Sequence, residues 1–319
     1  MPSMSMDLFP ALTCRHSGYL DQDHGHRIYW EESGNPNGPA VVFLHGGPGS
    51  GTAPVQRRFF DPHHYRIILF DQRGCGQSTP LGETAANSTA DLIADMEALR
   101  QLLDISEWLV FGGSWGSTLA LAYGQAHPQR CSGFILRGVF LGRSCDVDWF
   151  MRHMGLFFPD AGKAFKNFLP ADEQDDLLGH YHRRLSDADP AVHMPAAHAW
   201  NNYELACSLL RPRNKQVADD LNDKRALSTA RLEAHYFVNQ LFLEPNQLLE
   251  NMHKIKDLPA IIVQGRYDVI CPPQAAGELA DAWPQARLTI VDDAGHSALE
   301  PGIRAALVAA TEWFKKARP

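Results

Sequence analysis

The sequence predicts an α/β fold: a mostly parallel sheet covered by helices on both faces, with a helical segment inserted in the middle of the chain. Three observations carry this expectation. Several short runs (VVFLH, RIILF, WLVFG, AIIVQ) are apolar throughout, as strands are when helices bury both faces of a parallel sheet. Helical stretches separate these runs. The alternation continues to about residue 141, stops between about 142 and 255, and resumes from Leu258.

In chain order, strands are expected at 26–32, 41–45, 66–71, 108–112, 133–137, 260–265 and 286–292, which makes seven. Residues 89–103 place Leu92, Met96, Leu99 and Leu103 on one stripe, with Asp91 and Asp95 near the positive N-terminal end, so they read as an amphipathic covering helix. The segment 142–255 has another texture, rich in aromatics and histidine (WFMRHMGLFF, HYHRR, HMPAAHAWNNYE, EAHYFVNQLF) and without convincing alternation. It is expected to be a helical cap over a core formed by 1–141 and 256–319, its rings mainly packing and some of them lining a pocket. No internal repeat of 20–50 residues is visible, which excludes solenoids and propellers.

Composition narrows the function. With 319 residues, 45% hydrophobic and 21% charged, the chain has material for a large core. Its 29 basic and 37 acidic residues give a net charge of −8, and no basic block longer than a pair occurs, so nucleic acid is not an expected partner. Cysteines 14, 75, 131, 145, 207 and 271 form no CxxC pair, which suits free thiols in a reducing compartment. The first twenty residues lack a basic stretch followed by an apolar one, and no apolar run approaches the ~18 residues needed to span a bilayer. A cytoplasmic protein without membrane contact is expected.

The chemistry begins at Gly112-Gly113-Ser114-Trp115-Gly116, a G-x-S-x-G directly after the strand WLVF and before the helical run STLALAYGQAH. A serine on such a sharp strand-to-helix turn projects its hydroxyl above the sheet, and the helix N-terminus favours developing negative charge. The plain alternative is a Gly-rich turn with an N-capping serine. A serine hydroxyl needs a base oriented by a carboxylate. Asp268 follows the strand AIIVQG, and His296 follows RLTIVDD through Ala294-Gly295. Of fifteen histidines, only His296 follows a late strand in this manner; Asp292 and Asp293 lie too near it in sequence to be favoured as its partner. The order Ser114, Asp268, His296 is that of an α/β-hydrolase fold. Oxyanion donors are expected from the N–H of Trp115 and, in His45-Gly46-Gly47-Pro48-Gly49, from Gly46, with Gly47 as the alternative.

HGGPG, DQRGCGQS, GGSWGSTLALAY, HPQR, LRGVF, GRYDVICPP and DDAGHS, in this order, resemble the proline iminopeptidases of the α/β-hydrolase superfamily from about residue 15 to the C-terminus. The resemblance implies release of N-terminal proline from short peptides through an acyl-enzyme on Ser114, with no metal or organic cofactor. The segments around Glu204 and Glu233 resemble the family's W-x-x-W-E and A-R-x-E-x-H-Y-F segments, whose glutamates bind the substrate's amino group; Tyr203 stands where the family has a second Trp. Two neighbouring carboxylates raise each other's proton affinity unless a cation compensates, and Arg137 is the expected cation. Phe140 and Phe237 are the candidates to hold the proline ring, ahead of Tyr267. Cys271 is expected near the triad, where bulky thiol reagents would obstruct the site, or else as a buried structural thiol.

Three other functions fit less well. A broader aminopeptidase or esterase of the same fold differs only in substrate preference. A non-catalytic binding protein would not need all three triad residue types, and an epoxide hydrolase or dehalogenase would want Asp where Ser114 stands. The oligomeric state is left open by the sequence.

Overall fold

The computed structural model describes residues 7–211 and 222–317. The stretch 212–221 of the expected cap lies outside the described residues, as do residues 1–6 and 318–319 of the expected core. Eight strands form one sheet: β1 (His16–Asp21), β2 (Arg27–Gly34), β3 (Ala40–Leu44), β4 (Arg66–Phe70), β5 (Trp108–Ser114), β6 (Cys131–Val139), β7 (Ala260–Gly265) and β8 (Ala286–Val291). Their order is β1-β2-β4-β3-β5-β6-β7-β8. β1 and β2 pair antiparallel, as do β2 and β4; every later pairing is parallel.

The strand count corrects the expected seven. β1 (HSGYLD) escaped sequence reading because it is a partly exposed edge strand and lacks the apolar run that marks its neighbours. The central strands behave as their composition demands: β3 sends Val42 and Leu44 into one core and Val41 and Phe43 into the other.

The helices before the insertion are α1 (Thr89–Leu102) and α2 (Trp115–Ala126). In α1 the stripe Leu92, Met96, Leu99 and Leu103 is buried, and Ser88 and Asp91 cap the N-terminus reciprocally. Asp95 does more than favour the helix dipole. Its carboxylate is buried and takes two hydrogen bonds from Arg73, at 2.7 and 2.8 Å.

The insertion contributes α3 (Ser144–Asp148), α4 (Pro159–Asn167), α5 (Leu177–Leu185), α6 (Pro190–Cys207), α7 (Asp223–Val238) and α8 (Gln247–Glu250), and no strand among the described residues. Its rings do pack: Phe165 stacks on Tyr181 at 4.4 Å and on Tyr203 at 4.5 Å, and Phe150 stacks on Trp200 at 5.5 Å. Tyr203 fits without strain on its polar end, since its hydroxyl accepts from the Gly155 N–H and donates to the Phe150 carbonyl. After the insertion come α9 (Pro273–Asp281) and α10 (Pro301–Ala317), and Ile303, Leu307 and Phe314 of α10 join the core that holds Val41 and Phe43. No described helix is long and apolar enough to cross a membrane.

Candidate active site

Ser114 ends β5 at φ 58° and ψ −129°, a left-handed conformation that a non-glycine residue holds only when its surroundings impose it. Close packing imposes it here. A Cβ on Gly112 would stand 2.1 Å from the Gly116 carbonyl oxygen, and one on Gly116 2.2 Å from that of Leu44, so only glycines let strand, turn and helix approach this closely.

Asp268 lies in the turn after β7, and His296 in the loop after β8. His296 Nδ1 lies 2.8 Å from Asp268 Oδ2. The carboxylate is held from every side: Oδ1 accepts from the N–H of Ile270 (3.1 Å) and Cys271 (2.8 Å), and Oδ2 also accepts from Gln264 Nε2 (3.1 Å). Gln264 is itself fixed, donating to the Cys271 carbonyl and accepting from the Val139 N–H. Its signal in the sequence was an amide in an otherwise apolar strand.

Ser114 and His296 line the same cavity of about 340 Å³, together with Gly46, Arg137 and Glu204. The Cys271 thiol lies near the Ser114 hydroxyl, and burial pushes that thiol well above the ordinary thiol range. The other face of the imidazole is occupied by Arg137, whose Nη1 lies 3.0 Å from His296 Nε2 and donates to the His296 carbonyl at 2.8 Å. The guanidinium covers the turn beside Ser114: a Cβ on Gly113 would be 2.6 Å from Arg137 Nη2.

That placement corrects the expectation for Arg137, which contacts the imidazole and not the glutamates. The cation whose charge acts on Glu204 is Arg225. Glu204 on α6 and Glu233 on α7 do come together. Burial pushes the Glu204 carboxyl up to about 7, against the pull of Arg225. Burial, with the charge of Glu204, pushes Glu233 well above the carboxylate range, although Trp200 Nε1 donates to its Oε2 at 2.5 Å.

Phe140 and Phe237 are buried with ring centroids 6.0 Å apart, and Phe237 packs on Phe150 and Trp200. Neither lines the cavity that holds Ser114, where the aromatic lining comes from Phe43, Phe59 and Phe111. The expected ring-holding wall is therefore part of an aromatic core next to Trp200. Tyr267 is largely exposed.

Gly46 approaches the serine closely, since a Cβ there would stand 3.3 Å from Ser114 Cβ and 3.9 Å from its Oγ. The Gly46 carbonyl accepts from Ser50, which anchors the following Gly46–Gly47 peptide through its oxygen. Trp115 opens α2, where backbone N–H groups lack helical partners. Its indole donates to Gln72 Oε1, and Gln72 in turn bonds the carbonyl and the ring of His45, fastening the two expected donor peptides together.

The loop of His296 is tied to the end of α6. Ser208 O accepts the N–H groups of His296 (3.2 Å) and Ser297 (3.0 Å), while Glu300 accepts those of Gly295 and, at 2.8 Å, Leu210.

Comparison with known proteins agrees with this architecture. Residues 39–302 match the family model described as alpha/beta hydrolase fold. An esterase from Exiguobacterium antarcticum superposes with a TM-score of 0.66 at 18% identity, over 94% of this chain and all of that one, a likeness of fold alone. The chain is an α/β hydrolase. It is 52% identical to a proline iminopeptidase of Arabidopsis thaliana over 97% of this chain and 82% of that protein, and 48% identical to a proline iminopeptidase of Xylella fastidiosa over 96% and 99%. It belongs to the proline iminopeptidase family.

Proposed function

We propose that this protein is a serine exopeptidase that releases N-terminal proline from short peptides, with Ser114, His296 and Asp268 as its catalytic triad. The observation that carries the reading is the His296–Asp268 hydrogen bond in a loop that shares one cavity with Ser114 and Glu204. As Arg137 withdraws from His296 Nε2, the Ser114 hydroxyl meets that nitrogen. It attacks the prolyl carbonyl while the imidazole takes its proton and Asp268 stabilises the imidazolium. The N–H groups of Gly46 and Trp115 receive the oxyanion. His296 then protonates the leaving nitrogen, and water hydrolyses the ester on Ser114 by the same route in reverse.

Glu204 and Glu233 bind the substrate's ammonium. Two carboxyl groups pushed upward by burial and by each other gain most from an arriving cation, which supports this role. Phe237 acts by holding Trp200, the donor to Glu233, and Phe140 by backing Phe237. Residues 1–141 and 256–319 form the catalytic core and 142–255 its cap, in line with the confinement of every described strand to the core. The six free cysteines suit a cytoplasmic setting.

The test is a panel of aminoacyl chromogenic amides with free and acylated amines. Prolyl amide is expected to be cleaved best, acylation to abolish turnover, and Ser114→Ala to remove activity from a folded chain. Equal cleavage of free and acylated substrates, or retained turnover by Ser114→Ala, overturns the reading.

A further inference from the structure

The catalytic cavity is chemically divided. Asn201 and Glu204 from α6 and Arg225 and Thr229 from α7 make one part polar. Another part is apolar, formed by Val55 and Phe59 of the short 3₁₀ segment Pro54–Phe59, Leu209 just past α6, and Ala298 and Leu299 of the loop after His296. Ala298 and Leu299 pack on the cluster that contains Phe59. Val55, Leu209, Ala298 and Leu299 are only half-buried, so their surface is open to a ligand. The charged residues that line the cavity, among those described, are Arg137, Glu204, Arg225 and His296; the two segments that carry Val55, Phe59, Ala298 and Leu299 add only the neutral Gln56 and Ser297 beside them.

The chemistry fixes which end of a peptide meets this surface. A general acid must stand on the leaving-group side of the scissile bond. His296 has that task in the function proposed above, on which this inference rests. Ala298 and Leu299 continue the same loop, and Leu209 follows Ser208, whose carbonyl binds that loop at His296 and Ser297. The apolar part therefore flanks the leaving residue, and the glutamates lie where the amine is held. A cavity of about 340 Å³ falls within the ~300–1,000 Å³ typical of small-molecule sites.

We propose that Val55, Phe59, Leu209, Ala298 and Leu299 form a binding site for the side chain of the residue that follows the N-terminal proline. The site selects an apolar side chain of leucine or phenylalanine size. It disfavours aspartate and lysine, which would lose hydration there without finding a partner.

The test is proline release from Pro-X amides with X as Gly, Leu, Phe, Asp or Lys, by the wild type and by Leu299→Asn and Val55→Asn. The wild type is expected to show kcat/KM about tenfold higher for Leu and Phe than for Gly, with Asp and Lys no better than Gly. Each variant is expected to bring the Leu-to-Gly ratio towards one. Equal kcat/KM across the panel, or a Leu-to-Gly ratio unchanged in both variants, overturns the site while leaving the peptidase reading intact. Failure to release proline from every member, Pro-Gly included, overturns the peptidase reading and this inference with it.

Discussion

Two carboxylate sites reach this cavity through His296 and Glu204 and are built on opposite principles. Asp268, at the lip of the sheet, receives two backbone N–H groups, the Gln264 amide and the His296 imidazole. Glu233, in the helical layer, has the Trp200 indole as its hydrogen-bond donor among the described residues, and a second acid, Glu204, close by. The first site has its donors in place before any substrate arrives. The second raises the proton affinity of its acids and, in the function proposed, is completed by the substrate's ammonium. The lesson is that burial alone does not assign a carboxylate its role; the number of donors built around it does.

That contrast can be broken most severely at Asp268. Asp268→Asn keeps the shape but removes the charge beneath the imidazole, and kcat on a prolyl amide is expected to fall by about 10³–10⁴ with the thermal midpoint nearly unchanged. Next, Glu233→Gln removes an ionisable acid from the proposed ammonium site. A drop of about 10² in kcat/KM is expected for free-amine substrates and a much smaller one for simple esters without an amine; equal losses on both would erase the distinction.

Glu300→Gln tests the tie between the two sites, because it replaces a double N–H acceptor that joins the base loop to the end of α6. A fall of about tenfold in kcat is expected, with slower labelling of Ser114 by a fluorophosphonate, whereas a purely structural role would lower only the thermal midpoint.

The smallest effect is on stability. The Glu204 carboxyl titrates near 4.5 when unfolded and near 7 when folded, so as pH rises from 4.5 the unfolded chain releases its proton first. The contribution of this group is therefore expected to decline between about pH 4.5 and 7, and Glu233, whose carboxyl is held well above the carboxylate range, carries the decline further. Thermal midpoints across this range, compared between the wild type and Glu204→Gln, measure it: the variant should lose part of the slope.

Much of this was legible beforehand because it follows from local rules. The apolar strands announce their burial, and G-x-S-x-G between strand and helix locates Ser114. Asp268 and His296 follow from the ends of late strands. What stayed hidden depends on groups that meet only in three dimensions. Gln264 and Glu300 look like ordinary polar residues until the backbone groups they serve are brought to them. Arg137 was expected beside the glutamates on charge alone, yet the path of β6 lays its guanidinium over Gly113 and against the imidazole. The edge strand β1 was invisible because none of its six residues is buried.

The carbonyl of Ser208 has a consequence for how such enzymes diversify. Since it serves as acceptor for the backbone of the loop that carries His296, the inserted helices cannot be traded for those of a distant hydrolase as an independent module. A transplant would strip two amides of their acceptor, so in this lineage new substrate tastes and catalytic vigour must drift together.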